Sequence, residues 1–245
     1  MVTKIAITGK SGSGKTTVSK AFLQLLQNIF PEKSILLFDN DLTAELAHSF
    51  GKDVRNTIYG IRSGKHEYKT GIPQGMTKSE YIEWAIEDIL VPISENVDLI
   101  VSWFVGAKDC RCPITEQINI ACQKLIERYD FVIFDCEFDL KYLSQLVDTN
   151  FDLTLIVTNP TEDSIKLAQR VSEFSAKYAV DGQLGVVINK STSKALNLIS
   201  YMLKFDDMNV LGSIPYFEEN LEKEVCEALK QFYFRLNLPQ ENQLW

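Results

Sequence analysis

No run of apolar residues in this sequence approaches the roughly 18 that a membrane-spanning helix needs. The chain passes from Met1 directly into an apolar segment, and it lacks the basic region and the long apolar region of a secretion signal. From both absences we expect a cytoplasmic protein that has no membrane partner.

Basic residues are also fewer than acidic residues. The chain carries 25 basic and 33 acidic residues, which gives a formal net charge of −8. Such a field repels a phosphate backbone and an anionic lipid surface. We therefore expect no nucleic acid among the partners.

Cysteine and histidine are scarce, with five and two residues in 245. An odd number of cysteines in a cytoplasmic chain of this size argues against a disulfide framework. The thiols are then expected to be free, to be buried as small apolar side chains, or to bind a metal.

The chain has no internal repeat and no low-complexity tract, and its length and 45% hydrophobic content predict one domain over residues 1–245. Short apolar runs rich in β-branched residues alternate with segments of helical period. This alternation predicts an α/β fold, a mostly parallel sheet of seven or eight strands with helices on both faces. The seven predicted strands are residues 4–8, 34–39, 98–103, 130–135, 152–158, 184–189 and 209–214.

Two segments have a clear helical stripe of apolar residues. In residues 79–90 the stripe is Ile82, Ala85, Ile86 and Ile89, and in residues 116–129 it is Ile118, Ala121, Cys122, Leu125 and Ile126. Cys122 is thus predicted to be a core residue. Residues 51–77 are the least regular segment and are a candidate for a flap over the site.

The segment "ITGKSGSGKTT", residues 7–17, contains a phosphate-binding loop. Gly9, Gly14, Lys15 and Thr16 match G-x-x-x-x-G-K-[ST], between a predicted strand and a predicted helix. Glycines let backbone N–H groups converge on phosphate oxygens, Lys15 neutralises β/γ charge, and Thr16 can bind Mg²⁺. The alternative is a glycine-rich turn with a chance lysine. The predicted ATP-binding residues here are Gly9, Lys10, Ser11, Gly12, Ser13, Gly14, Lys15, Thr16 and Thr17.

Lys10 is an additional lysine near the start of the loop. With it, "GKSGSGKTT" resembles the deviant Walker A family of P-loop ATPases, which includes partition and septum-site ATPases, the nitrogenase iron protein and metal-insertion ATPases. The resemblance implies that Lys10 reaches the nucleotide of a partner subunit, so that nucleotide binding and homodimer formation are coupled. Ser11 departs from the family's usual glycine.

Two acidic residues end predicted strands. In "LLFDNDLTAELAHSFG", which resembles the family's first switch, Asp41 matches the aspartate that orients the attacking water, and Asp39 is the weaker candidate. The alternative for Asp41 is an N-cap of the next helix. Asp135 ends "YDFVIFD" at the expected ligand edge of the sheet, where it suits Mg²⁺ held through water. The alternative for Asp135 is a solvated surface acid.

Two later segments resemble the family's adenine pocket. Asn189 and Lys190 end "LGVVINK", and Pro215 lies in "SIPYF". An asparagine amide can both donate to and accept from the adenine edge, but a turn or cap asparagine is the alternative.

Cys110 and Cys112 form a C-x-C pair in "GAKDCRCPITEQ". Two thiolates supply half of a four-sulfur site, and a two-fold dimer would supply the rest. His48 and His66 lie in earlier segments and are not expected to complete the site. The alternative is two incidental or redox-active cysteines.

The C-x-C pair with its following proline resembles the carbon monoxide dehydrogenase accessory ATPases, as does "RSGKHEYKTGIPQGMTKSEYIEWAI". The resemblance covers nearly the whole chain. It implies an ATPase that uses ATP and Mg²⁺, binds Ni²⁺ or Zn²⁺ across a homodimer, and delivers nickel to a carbon monoxide dehydrogenase or a related client metalloenzyme.

The segment after Asp135 departs from this family, because Phe138 and Asp139 replace its Ala-Gly. The family glycine offers an N–H to the γ-phosphate, so an aspartate there predicts slow or differently gated hydrolysis. Glu137 has no assigned role. Two other functions stay open: a partition or positioning ATPase, and a nucleotide-dependent binding module with little turnover.

Overall fold

The computed structural model describes residues 2–63, 72–102, 113–136, 151–175, 182–192, 209–217, 221–233 and 236. The strands are β1 (Thr3–Gly9), β2 (Ile35–Asn40), β3 (Val91–Ser94), β4 (Val97–Val101), β5 (Phe131–Cys136), β6 (Leu153–Thr158), β7 (Gln183–Ser191) and β8 (Val210–Pro215). The helices of the described residues are α1 (Lys15–Ile29), α2 (Glu45–Ser49), α3 (Ile58–Ser63), α4 (Lys78–Asp88), α5 (Pro113–Ile126), α6 (Glu162–Ser175) and α7 (Leu221–Tyr233).

The eight strands form one sheet in the order β3-β4-β2-β5-β1-β6-β7-β8. Every neighbouring pair is parallel except β3 with β4. The prediction of a mostly parallel α/β sheet is therefore confirmed, and all seven predicted strands are present. Because the parallel strands end at one edge, the loops that follow β1, β2, β5, β6 and β7 meet there.

Strand alternation divides the apolar side chains between the two faces. Ile5 and Ile7 of β1 lie in one cluster with residues of α1 and α7, whereas Ala6 lies in a second cluster with residues of α3, α4 and α5. This is the expected result for strands covered by helices on both faces.

Both predicted helical stripes are buried. The stripe of α4 and that of α5, Cys122 included, are at most 3% exposed. Burial raises the pKa of the Cys122 thiol to about 12, as suits a core residue. Helix α4 begins with a capping box: the Glu80 amide donates to Thr77 Oγ1 at 3.2 Å, and the Thr77 amide donates to Glu80 Oε2 at 2.7 Å.

The irregular segment 51–77 contains a helix that its sequence did not indicate. Ile58 and Ile61 of α3 are fully buried in one core cluster with residues of α4, α5 and the sheet, whereas residues 72–75 of the same segment are exposed. Residues 64–71 lie outside the described residues, and the flap is not tested.

Candidate functional site

The loop between β1 and α1 turns at glycines with positive φ. The φ angles of Gly9, Gly12 and Gly14 are 152°, 76° and 92°. The Ser13 amide donates to the Lys10 carbonyl at 3.0 Å and closes the tip of the loop. A side chain at residue 9 would collide with the Val157 carbonyl of β6, so only glycine fits there.

The loop leads into an uncapped helix start. Gly14 is the N-cap of α1, no side chain caps the helix, and its first turn has no acidic residue. No carboxylate of its own first turn therefore competes for the N–H groups and the positive end of the helix dipole, which suits a phosphate ligand. Lys15, at the first helical position, is only 7% exposed.

The other predicted loop residues differ in exposure. Lys10 and Ser11 are exposed, Thr16 and Thr17 are half-buried, and Ser13 is fully buried. The Ser13 hydroxyl makes no hydrogen bond within the described part of the chain. The loop thus presents a buried lysine, Lys15, and an exposed lysine, Lys10, and their roles at the nucleotide stay predictions.

Asp135, the residue before the last one of β5, lies beside this loop and is 1% exposed. Burial, and then the charge of Asp39, raise its pKa to about 7, while the Thr16 hydroxyl and the Lys15 ammonium oppose this rise. Neither carboxylate oxygen has a hydrogen-bond partner of normal geometry among the described residues. An orphaned buried carboxylate beside a threonine hydroxyl fits a hydrated cation such as Mg²⁺. The surface-acid alternative for Asp135 is wrong, because the side chain is buried.

Asp39 is buried at the end of β2, and both of its carboxylate oxygens accept backbone hydrogen bonds. Oδ1 accepts from the Asp41 amide at 3.1 Å, and Oδ2 accepts from the Ala47 amide of α2 at 3.0 Å. Burial raises the pKa of Asp39 to about 6 even though these two hydrogen bonds lower it. Asp39 therefore holds the backbone of the segment that carries Asp41.

Asp41 is 8% exposed and forms a local turn. Its Oδ1 accepts from the Thr43 amide at 2.7 Å and from the Thr43 hydroxyl at 2.6 Å. The N-cap of α2 is Ala44, with φ 50°, so the alternative that Asp41 caps this helix is wrong. Thr43 itself was not predicted, although a threonine two residues after an aspartate is typical of such turns.

Asn189 and Lys190, at the end of β7, contact the loop directly. Asn189 Nδ2 donates to the Ser13 carbonyl at 2.8 Å, and Lys190 Nζ donates to the Gly12 carbonyl at 2.9 Å. Pro215 is exposed at the end of β8, opposite Ser191 in the strand register. The predicted adenine contacts of these residues stay a prediction.

Sequence reasoning also missed a polar contact at the same edge of the sheet. The Ser102 hydroxyl, just after β4, donates to Asn40 Oδ1, and the Ser102 amide donates to the Asp39 carbonyl at 2.9 Å. Asn40 lies within the segment that resembles the first switch, but Ser102 belongs to no motif, and the pairing of the two depends on the register of β2 beside β4.

The predicted soft-metal site stays a prediction. Cys110 and Cys112 lie outside the described residues, as do Glu137, Phe138 and Asp139. Within the described ranges, no three His, Cys, Asp or Glu side chains are grouped as metal ligands. The cysteines described there, Cys122, Cys136 and Cys226, are buried free thiols.

No helix within the described residues combines the length and apolar character needed to cross a membrane.

Comparison with known proteins gives matches along nearly the whole chain. Residues 4–227 match the family described as the CobQ/CobB/MinD/ParA nucleotide binding domain. An uncharacterized ATP-binding protein of Methanocaldococcus jannaschii is 30% identical over 246 residues, which cover 98% of this chain and 93% of the relative.

Solved structures of other proteins share the fold. The MinC:MinD cell division protein complex of Aquifex aeolicus matches with a TM-score of 0.67 and 19% identity, over 97% of this chain and 98% of that chain. Cobyrinic acid a,c-diamide synthase of Mycobacterium smegmatis, with bound ADP and magnesium, matches with a TM-score of 0.66 and 18% identity, over 98% of this chain and 99% of that chain.

Proposed function

Because the chain belongs to the CobQ/CobB/MinD/ParA nucleotide-binding domain family, we propose that it binds ATP with Mg²⁺ and hydrolyses the ATP to ADP and phosphate. The observation that carries the proposal is the loop of residues 9–16 with the orphaned Asp135 carboxylate beside it. The similar protein of M. jannaschii is named for ATP binding, and the similar M. smegmatis enzyme holds ADP and magnesium. We further propose that residues 1–245 act as one domain.

Each residue of the site has its own role in the proposed hydrolysis. Lys15 and the first N–H groups of α1 bind the β- and γ-phosphates. Thr16 would bind the Mg²⁺ through its hydroxyl, and Asp135 would accept hydrogen bonds from the water molecules of that ion. Bound there, the ion neutralises charge that develops on the phosphate oxygens.

Asp41 is the candidate for orienting the attacking water. The oxygen of that water forms a bond to the γ-phosphorus while the bond from this phosphorus to the β–γ bridging oxygen breaks. ADP keeps the electron pair, and the proton of the water leaves with the phosphate product or to solvent. Because Thr43 donates two hydrogen bonds to Oδ1 of Asp41, we assign the orientation of the water to Oδ2.

The proposed assembly is a cytoplasmic homodimer formed on nucleotide or metal binding. The exposure of Lys10 supports this, because a side chain that serves a partner's nucleotide must be accessible in the monomer. Cys110 and Cys112 of both subunits would bind one Ni²⁺ or Zn²⁺, which the dimer delivers to a carbon monoxide dehydrogenase or a related client. The C-x-C spacing and the following Pro113 support this finer assignment. We propose neither a nucleic acid nor a membrane as partner.

A partition or positioning ATPase is the second candidate, since the family description names MinD and ParA. The net charge of −8 counts against attraction to DNA or to anionic lipid. Co-sedimentation with anionic liposomes or DNA in the presence of ATP would favour this second candidate. A binding module with little turnover is the third, because of Phe138 and Asp139.

Two measurements test the proposal. Turnover of ATP with Mg²⁺ should be measurable for the wild type and absent for Lys15→Ala. A wild-type rate equal to that of the variant would exclude ATP hydrolysis and favour a nucleotide-dependent binding module. Equilibrium dialysis with and without a slowly hydrolysed ATP analogue should give one Ni²⁺ or Zn²⁺ per dimer, and none for Cys110→Ser with Cys112→Ser. One metal per monomer, or binding that survives loss of both thiols, would exclude the shared metal site.

A further inference from the structure

Two side chains from the end of β7 bind main-chain carbonyls of the phosphate loop, 176 and 178 residues away in sequence. Asn189 binds the Ser13 carbonyl, and Lys190 binds the Gly12 carbonyl. We call these two residues the loop clamp. Both contacts are to successive peptide groups at the tip of the loop, so they act on its backbone conformation.

The orientation of the Asn189 amide is determined by its partners. Oδ1 accepts from the Lys190 amide at 2.9 Å, while Nδ2 donates to Ser13. A flipped amide would set Oδ1 against a carbonyl oxygen and Nδ2 against an N–H group, which removes both hydrogen bonds. Asn189 is 4% exposed and Ser13 is fully buried, so water cannot readily replace this contact.

The clamp explains the direction of the loop N–H groups. In a trans peptide the C=O of one residue and the N–H of the next point in opposite directions. Holding the Ser13 carbonyl toward Asn189 therefore turns the Gly14 N–H to the opposite side. The Gly12–Ser13 peptide is tied at both ends, by Lys190 at its carbonyl and by the Lys10 carbonyl at its N–H.

Asn189 approaches the loop so closely that residue 14 has no room for a side chain. A Cβ at Gly14 would collide with Asn189 Nδ2. Lys190 has φ 56°, a left-handed conformation that side chains other than Asn and Asp rarely adopt. The next residue, Ser191, is fixed to β8, because its hydroxyl donates to the Ile214 carbonyl at 3.1 Å. The fold thus holds Lys190 in an unfavourable conformation that brings its amine to the loop.

We propose that Asn189 and Lys190 are positioning residues that hold the phosphate loop in its anion-binding shape. Their effect is on the affinity for the polyphosphate chain and does not depend on the adenine base. The inference rests on the proposed nucleotide binding, and it assigns Asn189 to the loop backbone where the sequence predicted an adenine contact.

A ligand without a base separates the two roles. Affinities for ATP and for inorganic tripolyphosphate, both with Mg²⁺, are measured by calorimetry for wild type, Asn189→Ala, Lys190→Met and Lys190→Gly. We expect each variant to bind both ligands at least tenfold more weakly, with the ratio of the two affinities unchanged within about twofold. Lys223→Met on α7 removes an equal charge from an exposed site and should match the wild type.

Lys190→Gly separates loss of the clamp from loss of folding stability. Glycine adopts a φ of 56° without strain, so the melting temperature of this variant should be no lower than that of the wild type. A loss of affinity for ATP with tripolyphosphate binding intact would overturn the inference and make Asn189 an adenine contact. Unchanged affinity for both ligands would also overturn it. A wild type that binds tripolyphosphate but not ATP would refute the proposed function instead, while the tripolyphosphate series would still test the clamp.

Discussion

Asp39 and Asp135 lie directly opposite each other on the neighbouring parallel strands β2 and β5, and both are buried. The two differ in their partners. Asp39 accepts two backbone hydrogen bonds, whereas Asp135 accepts none of normal geometry among the described residues. The pKa of Asp135, about 7, is accordingly the higher of the two. Burial thus raises the pKa of a carboxyl group at the ligand edge, so a proton and a bound cation would compete for it near neutral pH.

The raised pKa of Asp135 predicts a pH-dependent stability of the ligand-free protein. A folded-state pKa of about 7, against the ordinary aspartate value of 3.8, means that the folded state binds more protons between these two pH values. The stabilisation from this group is complete below pH 4 and is lost as the pH rises through 7. Relative to Asp135→Asn, the free energy of unfolding of the wild type should fall by about 2–4 kcal/mol between pH 4 and pH 8.

Urea unfolding without Mg²⁺ or nucleotide, at several pH values, measures this difference. Asp88→Asn removes an exposed carboxylate of α4 and is the control for the change of charge. If the difference between wild type and Asp135→Asn is the same at every pH, the buried carboxyl group is not responsible.

Asp41→Asn should separate a catalytic role of Asp41 from its role in the turn. An asparagine Oδ1 can still accept from the amide and hydroxyl of Thr43, so the turn is retained. The variant loses the charge that orients water, and kcat for ATP should fall by about 100-fold or more with KM within a few-fold. Single-turnover and steady-state rates measure this. A kcat equal to that of the wild type would exclude a catalytic role for Asp41 and show that it only stabilises the turn.

Much of the sheet could be predicted from the sequence because buried parallel strands are nearly continuous apolar runs. Leu36 and Leu37 of β2 belong to opposite core clusters, which makes both positions apolar. Strand β3 could not be predicted, since it has only four residues, contains Pro92 and pairs antiparallel at the edge. Proline is tolerated at an edge strand but removes the usual strand pattern.

The phosphate loop could be predicted because its residues are close together in sequence, whereas the clamp could not. The contact of Asn189 with Ser13 depends on the register of β7 beside β6 and of β6 beside β1. A single sequence does not give that register. Nor does it indicate that Lys190 adopts a positive φ, because lysine has no preference for one.

Gly14→Ala should weaken nucleotide binding more than Gly12→Ala. Both glycines have positive φ, so both alanines introduce backbone strain of about 1–2 kcal/mol. Gly12 has open space where the new methyl group would lie, whereas at Gly14 the methyl group would displace Asn189. ATP affinity by calorimetry should fall at least tenfold further in Gly14→Ala than in Gly12→Ala. Equal losses of ATP affinity in the two variants would show that backbone strain alone requires glycine at both positions.

Lys10→Ala should weaken ATP-dependent dimerisation and leave nucleotide binding by the monomer intact. Lys10 is exposed and Lys15 is 7% exposed, so only Lys15 is enclosed by its own loop. A lysine that contacts the partner's phosphates contributes to binding only in the dimer, which couples the two equilibria. Loss of one such charge-assisted contact on each side of a two-fold dimer should raise the dimer dissociation constant at least tenfold.

Sedimentation velocity over a range of protein concentrations, with Mg²⁺ and a slowly hydrolysed ATP analogue, measures that constant. The analogue affinity of Lys10→Ala should be within about twofold of the wild type at concentrations where both are monomeric. Lys223→Met again controls for the loss of one exposed positive charge, and Lys15→Ala should neither bind the analogue nor dimerise with it. Dimerisation of Lys10→Ala equal to the wild type would make Lys10 an ordinary loop residue, and the coupling of nucleotide to assembly would then need another contact.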